Sequence, residues 1–137
     1  MKISLTAATL AALVLAAPAF AGDAAKGEKE FNKCKTCHSI IAPDGTEIVK
    51  GAKTGPNLYG VVGRTAGTYP EFKYKDSIVA LGASGFAWTE EDIATYVKDP
   101  GAFLKEKTDD KKAKSGMAFK LAKGGEDVAA YLASVVK

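Results

Sequence analysis

The sequence predicts an all-α domain with five short helices and long loops. Three observations predict it. No segment keeps a period-two alternation of apolar and polar residues for long. Apolar residues recur instead at helical spacing, most clearly at Ile93, Tyr96 and Val97 and at Val128, Tyr131, Leu132 and Val135. The stretches between helices are rich in Gly, Pro, Asp and Asn and exceed the usual loop length of a compact domain, which suggests that they wrap something. With 137 residues, 47% hydrophobic and 26% charged, the chain makes one globular domain at most.

Residues 1–21 read as an export signal that is cleaved. Met1 and Lys2 give a positive start, and residues 3–17 are apolar except for Ser4, Thr6 and Thr9. Pro18 breaks the run, and Ala19, Phe20 and Ala21 form an A-x-A cleavage site, so the mature domain spans residues 22–137. The competing reading is an uncleaved anchor, but the run is marginal in length and no stop-transfer cluster follows directly. Cleavage removes one of the 19 basic residues and none of the 16 acidic ones, so net charge says little and local lysine clustering matters more.

Residues 22–35 form the first expected helix, with Asp23 as N-cap and Gly27, Phe31 and Cys34 on one face. Residues 39–64 read as loops, with a turn at Gly55, Pro56 and Asn57. A second loop covers 65–75, and a short helix covers 76–81. Thr89 with Asp92 fits a capping box, and Glu90, Glu91 and Asp92 complement the helix dipole. Asp99 and Pro100 stop that helix. A short helix over 101–107, a lysine-rich loop over 108–115 and a last helix over 126–136 complete the chain.

The chemistry lies in Cys34, Lys35, Thr36, Cys37 and His38, a C-x-x-C-H string. On a helical turn, residues i and i+3 face the same way, so both thiols reach the two vinyl groups of one porphyrin. The following imidazole then sits under the iron. The string is therefore read as covalent attachment of one haem c, with His38 as axial ligand. Three other readings compete. A thioredoxin-like pair expects a βαβ setting, which the pattern lacks. A zinc site needs two further ligands, and the chain has two Cys and one His in all. A disulfide would close so small a loop that it stabilises little.

The sixth iron position is left to Met, Tyr or an open site, because His38 and both cysteines are already used. Met117 is the one methionine of residues 22–137, and it is favoured as that ligand over a role as core filler. With both axial positions filled there is no site for oxygen or substrate, which favours electron transfer over catalysis.

On these residues the chain resembles the class I c-type cytochromes, and most closely the bacterial cytochrome c2 group. The resemblance begins with Gly27, Phe31 and the C-x-x-C-H string. It continues through Lys53, Thr54, Gly55, Pro56, Asn57, Leu58, Tyr59 and Gly60, then Gly63, Arg64 and Thr65. Residues 72–76, Trp88, residues 96–100, residues 117–119 and Tyr131 extend it over nearly the whole mature chain. It implies the cytochrome c fold, with N- and C-terminal helices crossing where Gly27 and Phe31 meet Tyr131.

The resemblance also implies roles. The Pro56 carbonyl is expected to accept from His38 Nδ1–H. Tyr74 and Trp88 are expected to donate to a buried propionate, with Arg64 offsetting its charge. Tyr96 is expected beside the Met117 sulfur, and Phe119 over the haem edge. Lys33, Lys35, Lys53, Lys120 and Lys123 match or neighbour positions that ring that edge, where they would steer transient docking to acidic partners. The implied protein is a soluble, monomeric periplasmic electron carrier, not an enzyme. It would run between a bc1-type complex and a photosynthetic reaction centre or terminal oxidase. The alternative is a haem enzyme or gas-binding protein with an open sixth site. Nucleic-acid binding is not expected, since no basic helix or aromatic-interleaved patch occurs. The chain departs from mitochondrial relatives before Met117, where Ala113, Lys114, Ser115 and Gly116 replace Pro-Gly-Thr-Lys. The span from 100 to 117 is also longer and carries Lys105, Lys107, Lys111, Lys112 and Lys114.

Overall fold

The computed structural model describes residues 22–136; the expected export signal lies outside the described residues. Five α-helices, one 3₁₀ turn and one small sheet are joined by long loops in the described residues, so the all-α expectation with long loops is borne out.

Helix α1 (Ala24–Glu30) starts at Asp23, whose carboxylate accepts from the N–H groups of Ala25 (3.0 Å) and Lys26 (3.1 Å). It does not run on to residue 35 as one α-helix. It tightens into a 3₁₀ turn at Phe31–Lys33, where the Asn32 carboxamide donates to Lys29 O at 3.0 Å and competes with the helical ladder. A second difference is a small antiparallel hairpin of β1 (Ile40–Ile41) and β2 (Glu47–Val49), in a span expected to be loop. Strands of two and three residues are too short to show alternation. The hairpin is closed by Asp44, which accepts from Thr46 N–H at 2.9 Å, and by Gly45 at φ +87°.

Helix α2 (Asp76–Ala83) is slightly longer than expected. Helix α3 (Glu90–Lys98) is capped by Thr89 Oγ, which accepts from Asp92 N–H at 3.1 Å; the Thr89 hydroxyl in turn donates to the Asp92 carboxylate at 2.7 Å. Asp99 ends α3 and caps α4 (Pro100–Lys107), accepting from Ala102 N–H at 3.0 Å, with Pro100 opening that helix. Helix α5 (Gly125–Ser134) buries the expected stripe of Val128, Tyr131 and Leu132.

Helices α1 and α5 cross, and α3 packs on α5. At the crossing the Phe31 and Tyr131 rings lie 5.7 Å apart. A second cluster joins α3 to α4: Trp88 stacks on Phe103 at 5.7 Å and meets Tyr96 edge-on at 5.0 Å. Lys107 covers this cluster. Its Nζ lies 3.3 Å from the Asp92 carboxylate and 5.4 Å from the Phe103 ring centroid. Among the described residues, no helix is long and apolar enough to cross a membrane.

Candidate haem site

Cys37 N–H (3.1 Å) and His38 N–H (2.9 Å) both donate to the Cys34 carbonyl, so the C-x-x-C-H string occupies one helical turn. Both cysteines are free thiols, Cys34 half-buried and Cys37 exposed. Burial pushes the Cys34 thiol up to about 11, with Glu30 adding to the effect. Among the described residues no group of three or more His, Cys, Asp or Glu stands ready for a metal ion, which leaves the zinc reading without ligands.

His38 is fixed by its neighbours. Its Nδ1 lies 2.7 Å from the Pro56 carbonyl. A carbonyl oxygen can only accept, so Nδ1 carries the hydrogen and Nε2 keeps its lone pair. Burial holds the imidazole below its usual pKa, partly opposed by the Pro56 bond, which favours the neutral, ligating form. Gly55 lies against the ring; a Cβ there would meet Nδ1 at 2.7 Å and Nε2 at 2.9 Å, so this position has room for glycine alone. The segment is tied to the motif by Ala52 N–H to Lys35 O (3.0 Å) and Gly55 N–H to Cys37 O (2.7 Å).

Met117 is half-buried against the core. Its N–H donates to Ser115 Oγ at 3.0 Å, and the same hydroxyl lies 3.2 Å from Tyr96 Oη. Tyr96 thus reaches the Met117 segment through Ser115. Burial raises the Tyr96 phenol above its usual pKa.

Arg64, Tyr74 and Trp88 form one neighbourhood. Trp88 and Arg64 are joined by Trp88 N–H to Arg64 O at 3.0 Å. Tyr74 Oη accepts from Tyr69 N–H at 3.3 Å, while the Tyr69 ring lies 5.2 Å from the Arg64 guanidinium. Arg64 donates to Asn57 O (3.0 Å) and Tyr59 O (3.3 Å), and no ion pair of the described residues includes it. The Trp88 indole N–H has no hydrogen-bond partner among the described residues. No fully buried side-chain polar atom lacks a partner there, so this N–H opens onto accessible space. A guanidinium, a phenol proton and an indole N–H without an acidic partner suit a carboxylate brought by a ligand. Together with the free Nε2 of His38 and the thiols on its turn, these residues fit a haem with its propionates.

The expected docking lysines fall into two groups. Lys33, Lys120 and Lys123 line one groove of about 720 Å³ with Lys26, Lys29 and the exposed Phe119. Within it, Lys33 pairs with Glu30 at 2.6 Å and Lys120 with Asp99 at 2.7 Å. Lys35 and Lys53 lie beside the motif, joined through the Ala52–Lys35 backbone bond. Sequence reasoning missed Lys26 and Lys29; their helical spacing from Lys33 was the available signal. It also missed the structural role of Asn57. Its carboxamide accepts from Ile41 N–H (3.0 Å) and donates to Ile41 O (2.8 Å), replacing a strand partner.

No family model matches the chain. It is 98% identical over 137 residues to cytochrome c2 of Rhodobacter capsulatus, covering 100% of both chains. It is 58% identical over 130 residues to cytochrome c-551 of Roseobacter denitrificans, covering 94% of this chain and 93% of that one. The solved structure of cytochrome c2 from Rhodobacter capsulatus superposes with a TM-score of 0.84 at 98% identity, covering 85% of this chain and 100% of that chain. Such relatives are electron carriers rather than enzymes and carry one covalent haem c. This chain belongs to the cytochrome c2 family of c-type cytochromes.

Proposed function

We propose that the chain is a soluble periplasmic electron carrier. Cys34 and Cys37 hold one haem by thioether bonds, and His38 and Met117 are the axial ligands of its iron. The carrier runs from a bc1-type complex to a photosynthetic reaction centre or a terminal oxidase. The observation that carries the reading is the fixed His38 tautomer, with Nδ1–H on the Pro56 carbonyl and Nε2 free to ligate. The bound haem supplies a one-electron couple. The chain's part would be to hold that group rigidly, to fill both axial positions through His38 and Met117 and to receive the propionates at Arg64, Tyr74 and Trp88.

Optical spectra test this reading. The oxidised and reduced protein should be low-spin and indifferent to carbon monoxide, and acid-acetone should leave the haem on the polypeptide. Ready binding of carbon monoxide would place the chain with the open-site haem proteins instead. Extraction of the haem would overturn the thioether assignment.

Docking rests on the exposed lysines. Raising ionic strength from about 0.01 M to about 0.15 M shortens the screening length from roughly 30 Å to 8 Å. Oxidation by isolated reaction centres should then slow by about tenfold or more. A rate that ignores salt would remove Lys33, Lys35, Lys53, Lys120 and Lys123 from the docking reading.

The signal peptide is proposed to be cleaved before Gly22. Gly22 lies against α5, where a Cβ would meet Ala130 Cβ at 2.8 Å, and Asp23 N–H donates to the Asp127 carboxylate at 2.8 Å. The fold therefore grips the chain from Gly22 onward. N-terminal sequencing of periplasmic protein should read Gly22, Asp23, Ala24; a sequence starting at Met1 would refute the cleavage.

A further inference from the structure

Residues 108–117 form the strap that presents Met117. The strap turns at Asp109, a non-glycine residue at φ +51°. It is then fixed at three places. Asp110 holds it from within, its carboxylate accepting from Lys112 N–H (2.8 Å) and its carbonyl from Ala113 N–H (3.0 Å), with Ala113 buried. Ser115 holds it to α3 through Tyr96 and touches the Met117 backbone directly. The third fixing is more distant in sequence. Ser77, in the first turn of α2, accepts from Lys114 N–H at 3.0 Å across 37 positions. A second contact runs beside it: a Cβ on Gly116 would lie 3.1 Å from Lys75 Cγ. The start of α2 is therefore the floor on which the strap lies, three residues before Met117.

We infer that Ser77 is a positioning residue for the sixth ligand: by clamping the strap to α2 it sets how readily Met117 gives way to an external ligand. The inference rests on the proposed ligation by Met117. Ser77 reaches the site only through the Lys114 backbone. Its effect follows from the physics of local opening. A small external base reaches the iron only in molecules whose strap has lifted, and its apparent affinity scales with the fraction that is open. The Ser77 bond holds the closed form and is broken when the strap lifts. Losing one such bond raises the open fraction about fivefold. Ser77 lies in the first turn of α2, and alanine is the better helix former by up to about 0.7 kcal/mol, so Ser77→Ala does not weaken α2 and the loss falls on the strap.

The test uses imidazole binding to the oxidised holoprotein, followed by stopped-flow absorbance, in Ser77→Ala, Ser77→Thr and Asp23→Ala. Asp23→Ala removes the cap of α1 and costs global stability by a comparable amount, away from the strap. Wild-type binding should level off with imidazole concentration, at the rate of strap opening. Ser77→Ala should bind about fivefold more tightly, while Ser77→Thr and Asp23→Ala stay close to wild type. Unchanged binding in Ser77→Ala, or an equal gain in Asp23→Ala, would overturn the inference and leave Met117 ligation standing. A wild-type rate that rises linearly without levelling would overturn both, since no strap would then stand between imidazole and the iron.

Discussion

Met117→Ala is expected to open the sixth axial position, to confer carbon monoxide binding on the reduced protein and to lower the reduction potential. The fall should be on the order of 0.1 V or more, within the roughly 0.8 V span that axial ligands command. Residues 22–137 contain one His and one Met, and both cysteines lie in the attachment string. The Met thioether favours the reduced iron, so its loss lowers the potential. The side chain is half-buried, and the strap keeps its ties to Ser77 and Tyr96 in the variant. The chain should therefore fold and bind haem, and the change should appear in the spectrum rather than in yield. Redox titration and carbon monoxide difference spectra check it. An unaltered potential and spectrum would show that Met117 is core filler.

Local signals made much of this fold legible. Thr89 and the three acids after it marked the start of α3, and Asp99 with Pro100 marked the junction with α4. The α5 stripe placed Val128, Tyr131 and Leu132 in the core. Features built from distant partners were not legible. Asn57 replaces a strand partner for Ile41 across 16 positions, and Ser77 holds the strap across 37. Neither side chain differs in type from an ordinary turn or helix-start residue, so no local pattern separates the two uses. The site divides in the same way. Spacing singles out Cys34, Cys37 and His38 as the proposed attachment turn, while the ligand count leaves Met117, a Tyr or an open site for the sixth position. The Pro56 carbonyl and the cluster of Arg64, Tyr74 and Trp88 were reached through family resemblance, because their roles depend on a ligand the sequence does not contain.

Gly27→Ala should destabilise the protein by about 2–3 kcal/mol, against the usual direction for this exchange. In an isolated helix, alanine is favoured over glycine by about 1 kcal/mol. Here a Cβ on Gly27 would run into the Asp127 backbone carbonyl and lie 2.8 Å from Tyr131 Cβ. The obstacle is backbone in the first turn of α5, so it cannot swing aside as a flexible side chain would. The helices must separate, and the Phe31–Tyr131 contact, now 5.7 Å between centroids, opens with them. Gly101→Ala supplies the opposite sign in the same molecule. A Cβ there meets one atom, Asp99 Oδ1 at 3.7 Å, so the ordinary propensity gain should show as a stabilisation of up to about 1 kcal/mol. Denaturant unfolding of the two holoprotein variants measures both. A Gly27→Ala protein as stable as wild type would mean that the crossing has slack. A loss confined to Gly27 would mean that close backbone approach, not helix propensity, selects the glycine. Because α1 leads through Phe31–Lys33 directly into Cys34, the same loosening should reach the attachment turn.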